Sequence, residues 1–247
     1  MSGHSKWSTI KRKKGVADAK RGKIFTKLIR EISTAARMGG GEMDSNPRLR
    51  LVIEKAKAAN MPKDNIERAV QKGIGTGEGD AYAEFVYEGY GPAGVAVLVE
   101  VLTDNKNRSV GEVRHLFSKF GGNLGANGCV SYLFEKKGLI SFDRQGLEED
   151  ALLEAALDSG AIDVVEAEDS LDVIVAAGEL ERIKETLGRS FKVARAEISM
   201  EPTSTVKLAG SEAERMLRLA DSLEDLDDVQ SVHANFDISE EEMSSLV

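Results

Sequence analysis

This chain of 247 residues has one cysteine, one tryptophan, four prolines and three histidines. A single cysteine, Cys129, excludes an intramolecular disulfide and a thiolate-rich metal site, and fits a reducing compartment. No apolar run approaches the roughly 20 residues that span a bilayer, so no membrane partner is expected. The opening MSGHSKWSTIKRKKG has no apolar core, which excludes a secretory signal. It is basic, but Trp7, Ile10 and Val16 are the only sizeable apolar groups before residue 18, too few for an amphipathic transit helix. The chain is therefore expected to be cytosolic and complete. His4, His115 and His233 have no partners at metal-ligand spacing. There is no GxSxG turn, and no carboxylate sits in an apolar setting that would tune it for acid–base work. No enzyme, cofactor or metal is expected.

What the chain does have is charge, unevenly divided. It is acidic overall, at −9. Yet residues 1–30 hold ten Lys or Arg against one acid, Asp18, with Glu31 just beyond. Residues 1–75 carry 18 basic and seven acidic side chains, a formal +11, and residues 76–247 carry 15 and 35, a formal −20. Charge runs are usually solvated faces. A solvated face needs no surplus of one sign, however, and a basic head on an acidic body points to a polyanion, bound in one orientation. The expected contacts are Lys6, Trp7, Lys11, Arg12, Lys13, Lys14, Lys20, Arg21, Lys23, Lys27 and Arg30. Phosphate contacts of this kind position a protein without reading sequence. Trp7 either covers the end of a helical bundle or stacks on an unpaired base, which would favour RNA.

The apolar spacing predicts an α+β protein in three parts. Residues 1–77 read as a basic domain of three helices. The first runs from Asp18 as N-cap to Met38, with Phe25, Leu28, Ile32 and Ala35 inward and Lys20, Lys23, Lys27, Arg30 and Arg37 on a cationic ridge. The second opens at Asn46-Pro47, and the third covers 62–73. GIGTGEGDA (73–81) has linker composition and marks the change of charge. The period then shifts to 2. Strands are expected at 82–88, 94–103 and 129–135, with a helix at 107–120. Residues 136–203 read βαββαβ, a ferredoxin-like unit. A strand at 204–209, a helix at 211–225 and a strand at 228–237 would complete the middle part, so the expected domains are 78–135 plus 204–247, discontinuous around the insertion.

Several stretches resemble the YebC, or PmpR-type, family: GHSKWSTIKRKK (Gly3–Lys14), DAKRGKIFTKLIREI (Asp18–Ile32), NPRLRLVIEKAKAANMPKDNIERAV (Asn46–Val70), VYEGYGPAGVAVLVEVLTDNKNR (Val86–Arg108) and GGNLG (Gly121–Gly125). The resemblance covers essentially the whole chain. It implies three domains and no known catalytic activity. Bacterial members are described mainly as DNA-binding transcriptional regulators, whereas a mitochondrial member activates translation of cytochrome oxidase. The expected partner is thus DNA or ribosomal RNA, with a monomer expected because no dimer seam is legible.

Other features read more plainly. Residues 46–73 could be a helix-turn-helix with Asn65, Arg68 and Gln71 at base edges, but Asp64 and Glu67 oppose close approach to DNA, and bundle packing is the better account. GGNLGANG (Gly121–Gly128) opens no helix, so it is a turn or flexible contact loop rather than a phosphate cradle. Cys129 is expected to pack as a small hydrophobe at the start of a strand. Asp221, Glu224, Asp225, Asp227 and Asp228 read as a solvated helix end, or as the seat of a basic partner such as a ribosomal protein.

Overall fold

The computed structural model describes residues 18–75, 82–166, 169–239 and 241–242, with residues 18–20 described by their backbone alone. The elements in chain order are α1 (Asp18–Gly39), α2 (Pro47–Ala58), α3 (Lys63–Ile74), β1 (Ala83–Tyr90), β2 (Ala96–Thr103), α4 (Lys106–Lys119) and β3 (Asn123–Leu124). There follow β4 (Phe134–Asp143), α5 (Glu149–Ser159), β5 (Asp163–Glu166), β6 (Ser170–Ala176), α6 (Leu180–Leu187) and β7 (Val193–Pro202). The last are β8 (Val206–Lys207), α7 (Gly210–Glu224), β9 (Val229–Ala234) and β10 (Phe236–Asp237). No helix among the described residues is long and apolar enough to cross a membrane.

The first three helices bury one apolar stripe each, as their 3.6-residue spacing requires. Leu28, Ile32, Ala35 and Ala36 of α1 meet Leu49, Val52, Ile53 and Ala56 of α2, and Ile66 and Ala69 of α3. Asn46 joins two helix ends. Its Oδ1 accepts from Leu49 N at 3.0 Å, capping α2, while its Nδ2 donates to Ala35 O at 2.9 Å and Gly40 O at 2.8 Å, closing α1. Asn60, with φ 58°, turns the chain towards α3. That helix lies close on α1: a Cβ at Gly73 would come within 2.7 Å of Ala36 Cβ, so only glycine lets the two backbones approach this far.

The first sheet has the order β3-β1-β2-β9, with every neighbour antiparallel. Tyr87, Val99 and Val232 stand opposite one another across it. They share a core with Val113 and Phe117 of α4 and Met216, Ala220 and Leu223 of α7. Because β9 pairs with β2, the segments before and after 134–203 build one sheet. Residues 134–203 form a compact unit of their own, and the remainder of the chain forms the other. In the 134–203 unit the elements run βαββαβ and the strand order is β5-β6-β4-β7, all antiparallel. Ile140, Phe142, Leu171, Val173, Leu152, Ala156, Leu180 and Ile183 are its buried apolar groups. Its two ends are neighbours, with Phe134 paired to Pro202.

Three expected strands differ, and the one expected at 228–237 divides into β9 and β10, which lie in different sheets. Residues 129–133 are not extended: they turn, with a 3-10 helix over Ser131–Leu133, and the strand begins at Phe134 and runs unbroken to Asp143, into the βαββαβ unit. The reason is local. The N–H groups of Val130 and Ser131 are bound by the Glu88 carboxylate and are lost to any ladder. The strand expected at 204–209 shrinks to Val206–Lys207, paired in parallel with β10.

Candidate nucleic-acid interface

Lys6, Trp7, Lys11, Arg12, Lys13 and Lys14 lie outside the described residues, as does the side chain of Lys20. The other expected contacts, Arg21, Lys23, Lys27 and Arg30, sit on α1. Arg21 is exposed. Lys23, Lys27 and Arg30 are engaged within the chain. Lys23 Nζ donates to Asp225 O at 3.1 Å, Lys27 Nζ to Glu224 O at 2.5 Å, and Arg30 Nη1 to Asp227 O at 2.9 Å and Asp228 Oδ1 at 2.7 Å. The middle of the cationic ridge, Lys23, Lys27 and Arg30, thus meets the C-terminal end of α7. The attraction has a simple cause: the last carbonyls of a helix lack intrahelical partners and carry partial negative charge, and here acids surround them. The acidic stretch at 221–228 is correspondingly no bare solvated end, since its partner is the chain's own basic helix.

Asp228 is the centre of this contact. It is 4% exposed. Besides Arg30, its carboxylate accepts from Arg108 Nη2 at 2.7 Å, Ser109 Oγ at 2.7 Å and Thr103 Oγ1 at 3.0 Å. Burial alone would raise its pKa, but the Ser109 hydroxyl, Arg108 and their neighbours hold it below the usual carboxylate value. Lys27 goes the other way. Burial pushes its ammonium down to about 8, against the opposing pull of Glu224, Asp225 and Asp227. Desolvation outweighs attraction there.

Elsewhere on the bundle Arg37, Lys57 and Lys72 are exposed. On α3, Arg68 and Gln71 are exposed and Asn65 is half-buried. Asp64 and Glu67 are exposed beside them, Glu67 in an ion pair with Lys63 at 3.2 Å. The outer face of α3 is therefore mixed in charge, which suits bundle packing better than a major groove.

Sequence reasoning missed Glu88. Its carboxylate, 6% exposed, accepts from Gly128 N at 2.7 Å, Val130 N at 2.9 Å and Ser131 N at 2.8 Å. Successive N–H groups facing one anion form a nest, and Gly128 supplies the left-handed residue, at φ 85°, that curls the backbone around it. Burial would raise the Glu88 pKa, yet these three donors bring it below the ordinary value. β1 carries two acids, of which Glu84 is exposed and Glu88 buried, and nothing in the local pattern separates them. GGNLGANG is thus an ordered loop tied to β1, with β3 inside it. Cys129 lies in the loop rather than a strand and is half-buried, with its thiol pushed up by burial and by Glu88.

His4 is outside the described residues. His115 is exposed, and His233, half-buried, places Nε2 3.6 Å from Glu100 Oε2. Among the described residues no group of three His, Cys, Asp or Glu is arranged to hold a metal ion.

Residues 5–76 match the TACO1/YebC protein N-terminal domain, and residues 82–236 match the TACO1/YebC second and third domain. A protein of Syntrophus aciditrophicus, named probable transcriptional regulatory protein, is 59% identical over 100% of this chain and 99% of its own length. One of the same name from Geobacter sp. strain M21 is 57% identical over 100% of both chains. In the crystal structure of a conserved hypothetical protein from Aquifex aeolicus, the likeness has a TM-score of 0.84 at 51% identity, covering 90% of this chain and 93% of that one.

Proposed function

Since this chain belongs to the TACO1/YebC family, we propose that it is a non-enzymatic regulator of gene expression that binds nucleic acid through its basic head. The observation that carries this reading is the division of charge, +11 in residues 1–75 against −20 in the rest. Three ridge cations are engaged within the chain, so we assign more of the binding to the arm, Lys6, Lys11, Arg12, Lys13 and Lys14, with Trp7 among them. The acidic surface of the body is repelled by the polyanion, which orients the complex. The naming of its bacterial relatives supports transcriptional regulation on DNA. The mixed charge of α3, which offers no clean recognition helix, favours a second reading: a translation factor whose arm enters ribosomal RNA. In either case the protein acts in the cytoplasm as a monomer. We read 134–203 as a ferredoxin-like domain inserted into a discontinuous middle domain, a reading supported by its element and strand order.

Reversing Lys11, Arg12, Lys13 and Lys14 to Glu is expected to abolish binding and leave the melting temperature unchanged. Wild-type duplex affinity should fall with salt at a log-log slope of about −0.9 per phosphate contact. Unchanged affinity of the reversed variant at moderate salt would refute the head as the binding site. Sedimentation of a cell lysate, with and without RNase, then separates the two readings. Co-migration with ribosomal particles that the reversal removes favours translation. Retention on chromosomal DNA, away from ribosomes, favours transcription.

A further inference from the structure

Tyr132 stands out among the described aromatic side chains. It is 71% exposed, while Tyr87 is buried and Tyr82 and Tyr90 are half-buried. Isolated exposed rings are common. This one is mounted on backbone that cannot easily move. The preceding residue, Ser131, is bound through its N–H to Glu88 at 2.8 Å, and Val130 N to the same carboxylate at 2.9 Å. Leu133 N, following it, donates to Val130 O at 2.9 Å. The Tyr90 hydroxyl donates to Cys129 O at 2.9 Å and also interacts with the Tyr132 side chain. A buried carboxylate spent on three loop N–H groups holds the turn that presents the ring.

The surroundings add chemistry of one kind. The same loop exposes Asn123 and Asn127, whose amides can both donate and accept. At its other end Lys119 and Arg215 are exposed, and Arg215 Nη1 lies 3.7 Å from where a Gly121 Cβ would be. Two cations beside a glycine turn are a departure from the acidic body around them. Glu88, the acid that holds the loop, is buried and its carboxylate is taken up by three backbone N–H groups. A protein partner would need about 600 Å² or more of matching surface on this side, and a single ring on a polar loop does not offer it. An exposed, fixed ring on a loop that also carries amides, with cations at its far end, is what an unpaired base and its phosphates require.

We propose that the Gly121–Tyr132 loop is a second nucleic-acid contact, which takes an unpaired nucleobase on the Tyr132 ring and the adjoining phosphates at Lys119 and Arg215. This rests on the head-binding reading above and extends it: the head supplies sequence-tolerant affinity, and the loop selects single-stranded or looped segments over regular duplex. Either RNA or DNA can present such a base.

The test compares wild type, Tyr132→Ala, Tyr132→Phe and the Lys11–Lys14 reversal. The probes are a fluorescent single-stranded RNA of roughly 16 nucleotides, single-stranded DNA of the same sequence, and the corresponding duplex DNA, read by anisotropy at about 0.15 M salt. Tyr132→Ala should weaken single-strand binding roughly 5- to 150-fold, the range of one lost base stack. Duplex affinity and melting temperature should stay as in wild type, and Tyr132→Phe should retain the binding. A loss confined to RNA, or to DNA, identifies which polymer supplies the base. Equal single-strand affinity of Tyr132→Ala and wild type, with the head reversal still abolishing binding, overturns the loop contact and leaves the head reading intact. A loss in Tyr132→Ala with none in the head reversal does the opposite. Failure of wild type to bind any probe overturns both.

Discussion

Glu88, Asp228 and Lys27 show three ways in which burial treats a charge. Glu88 is satisfied by backbone donors alone, so Glu88→Gln replaces an acceptor with an amide whose N–H₂ faces a backbone N–H. The loss should be about 2 kcal/mol in urea unfolding, since hydrogen bonds to a charged group are the stronger kind. Its folded pKa is depressed. The stability it contributes is therefore present above the unfolded carboxyl value, about 4.3, and is lost as pH falls through the lower folded value. Asp228 follows the same sign. Asp228→Asn leaves Arg30 and Arg108 facing a neutral group and should cost about 3 kcal/mol, as broken buried pairs do. Lys27 is the reverse in consequence. Its pKa of about 8 lies below the unfolded value near 10.4, so its favourable contribution exists at alkaline pH and is gone below about 8. Lys27→Met at pH 7 should therefore melt no lower than wild type. A fall of several degrees would show that attraction to the α7 end outweighs desolvation.

Among the elements, α2 was the easiest to read, because Asn46-Pro47 carries both a capping side chain and a residue that needs no N–H. The same asparagine closes α1 through Ala35 O and Gly40 O, a role its neighbours in sequence do not announce. Asn46→Ala should thus cost about 2 kcal/mol rather than the roughly 1 kcal/mol of a simple cap. Thermal melts of Asn46→Ala and Asn46→Asp would separate the two parts, as Asp keeps the cap but cannot donate to the carbonyls. The segment 129–135 shows the limit of local pattern. Alternating Val130, Tyr132 and Phe134 suit a strand, but the carboxylate of Glu88, 42 residues away from Val130, takes the N–H groups instead. The glycine loop before it likewise becomes ordered through a contact that spacing does not encode.

For the molecule as a whole, the basic head and the acidic body do not simply repel opposite partners. Lys23, Lys27 and Arg30 join them through the α7 end and Asp228, consuming part of the surplus that composition displays. Raised salt should accordingly weaken nucleic-acid binding through the arm far more than it lowers the melting temperature, because the Asp228 contact is buried and less screened. The pairing of Phe134 with Pro202 makes a second prediction. Removing 134–203 and joining Leu133 to Ser204 through a short Gly-Ser bridge should leave a folded remainder with the far-ultraviolet dichroism of the first sheet and its helices. Loss of cooperative unfolding in that variant would mean that the two units stabilise one another.

The amino-acid sequence by itself determined the helices of the head, the shift from period 3.6 to period 2, most strand positions and the sign of each half. Those follow from neighbours within a few residues, where apolar spacing, capping chemistry and charge act directly. Only the tertiary structure decided which charges remain available. Glu88 reaches residues 128–131, and α1 reaches 224–228 some 200 positions away. A buried ion or an occupied N–H depends on what the fold brings within about 3 Å, and no periodicity of the chain records that distance.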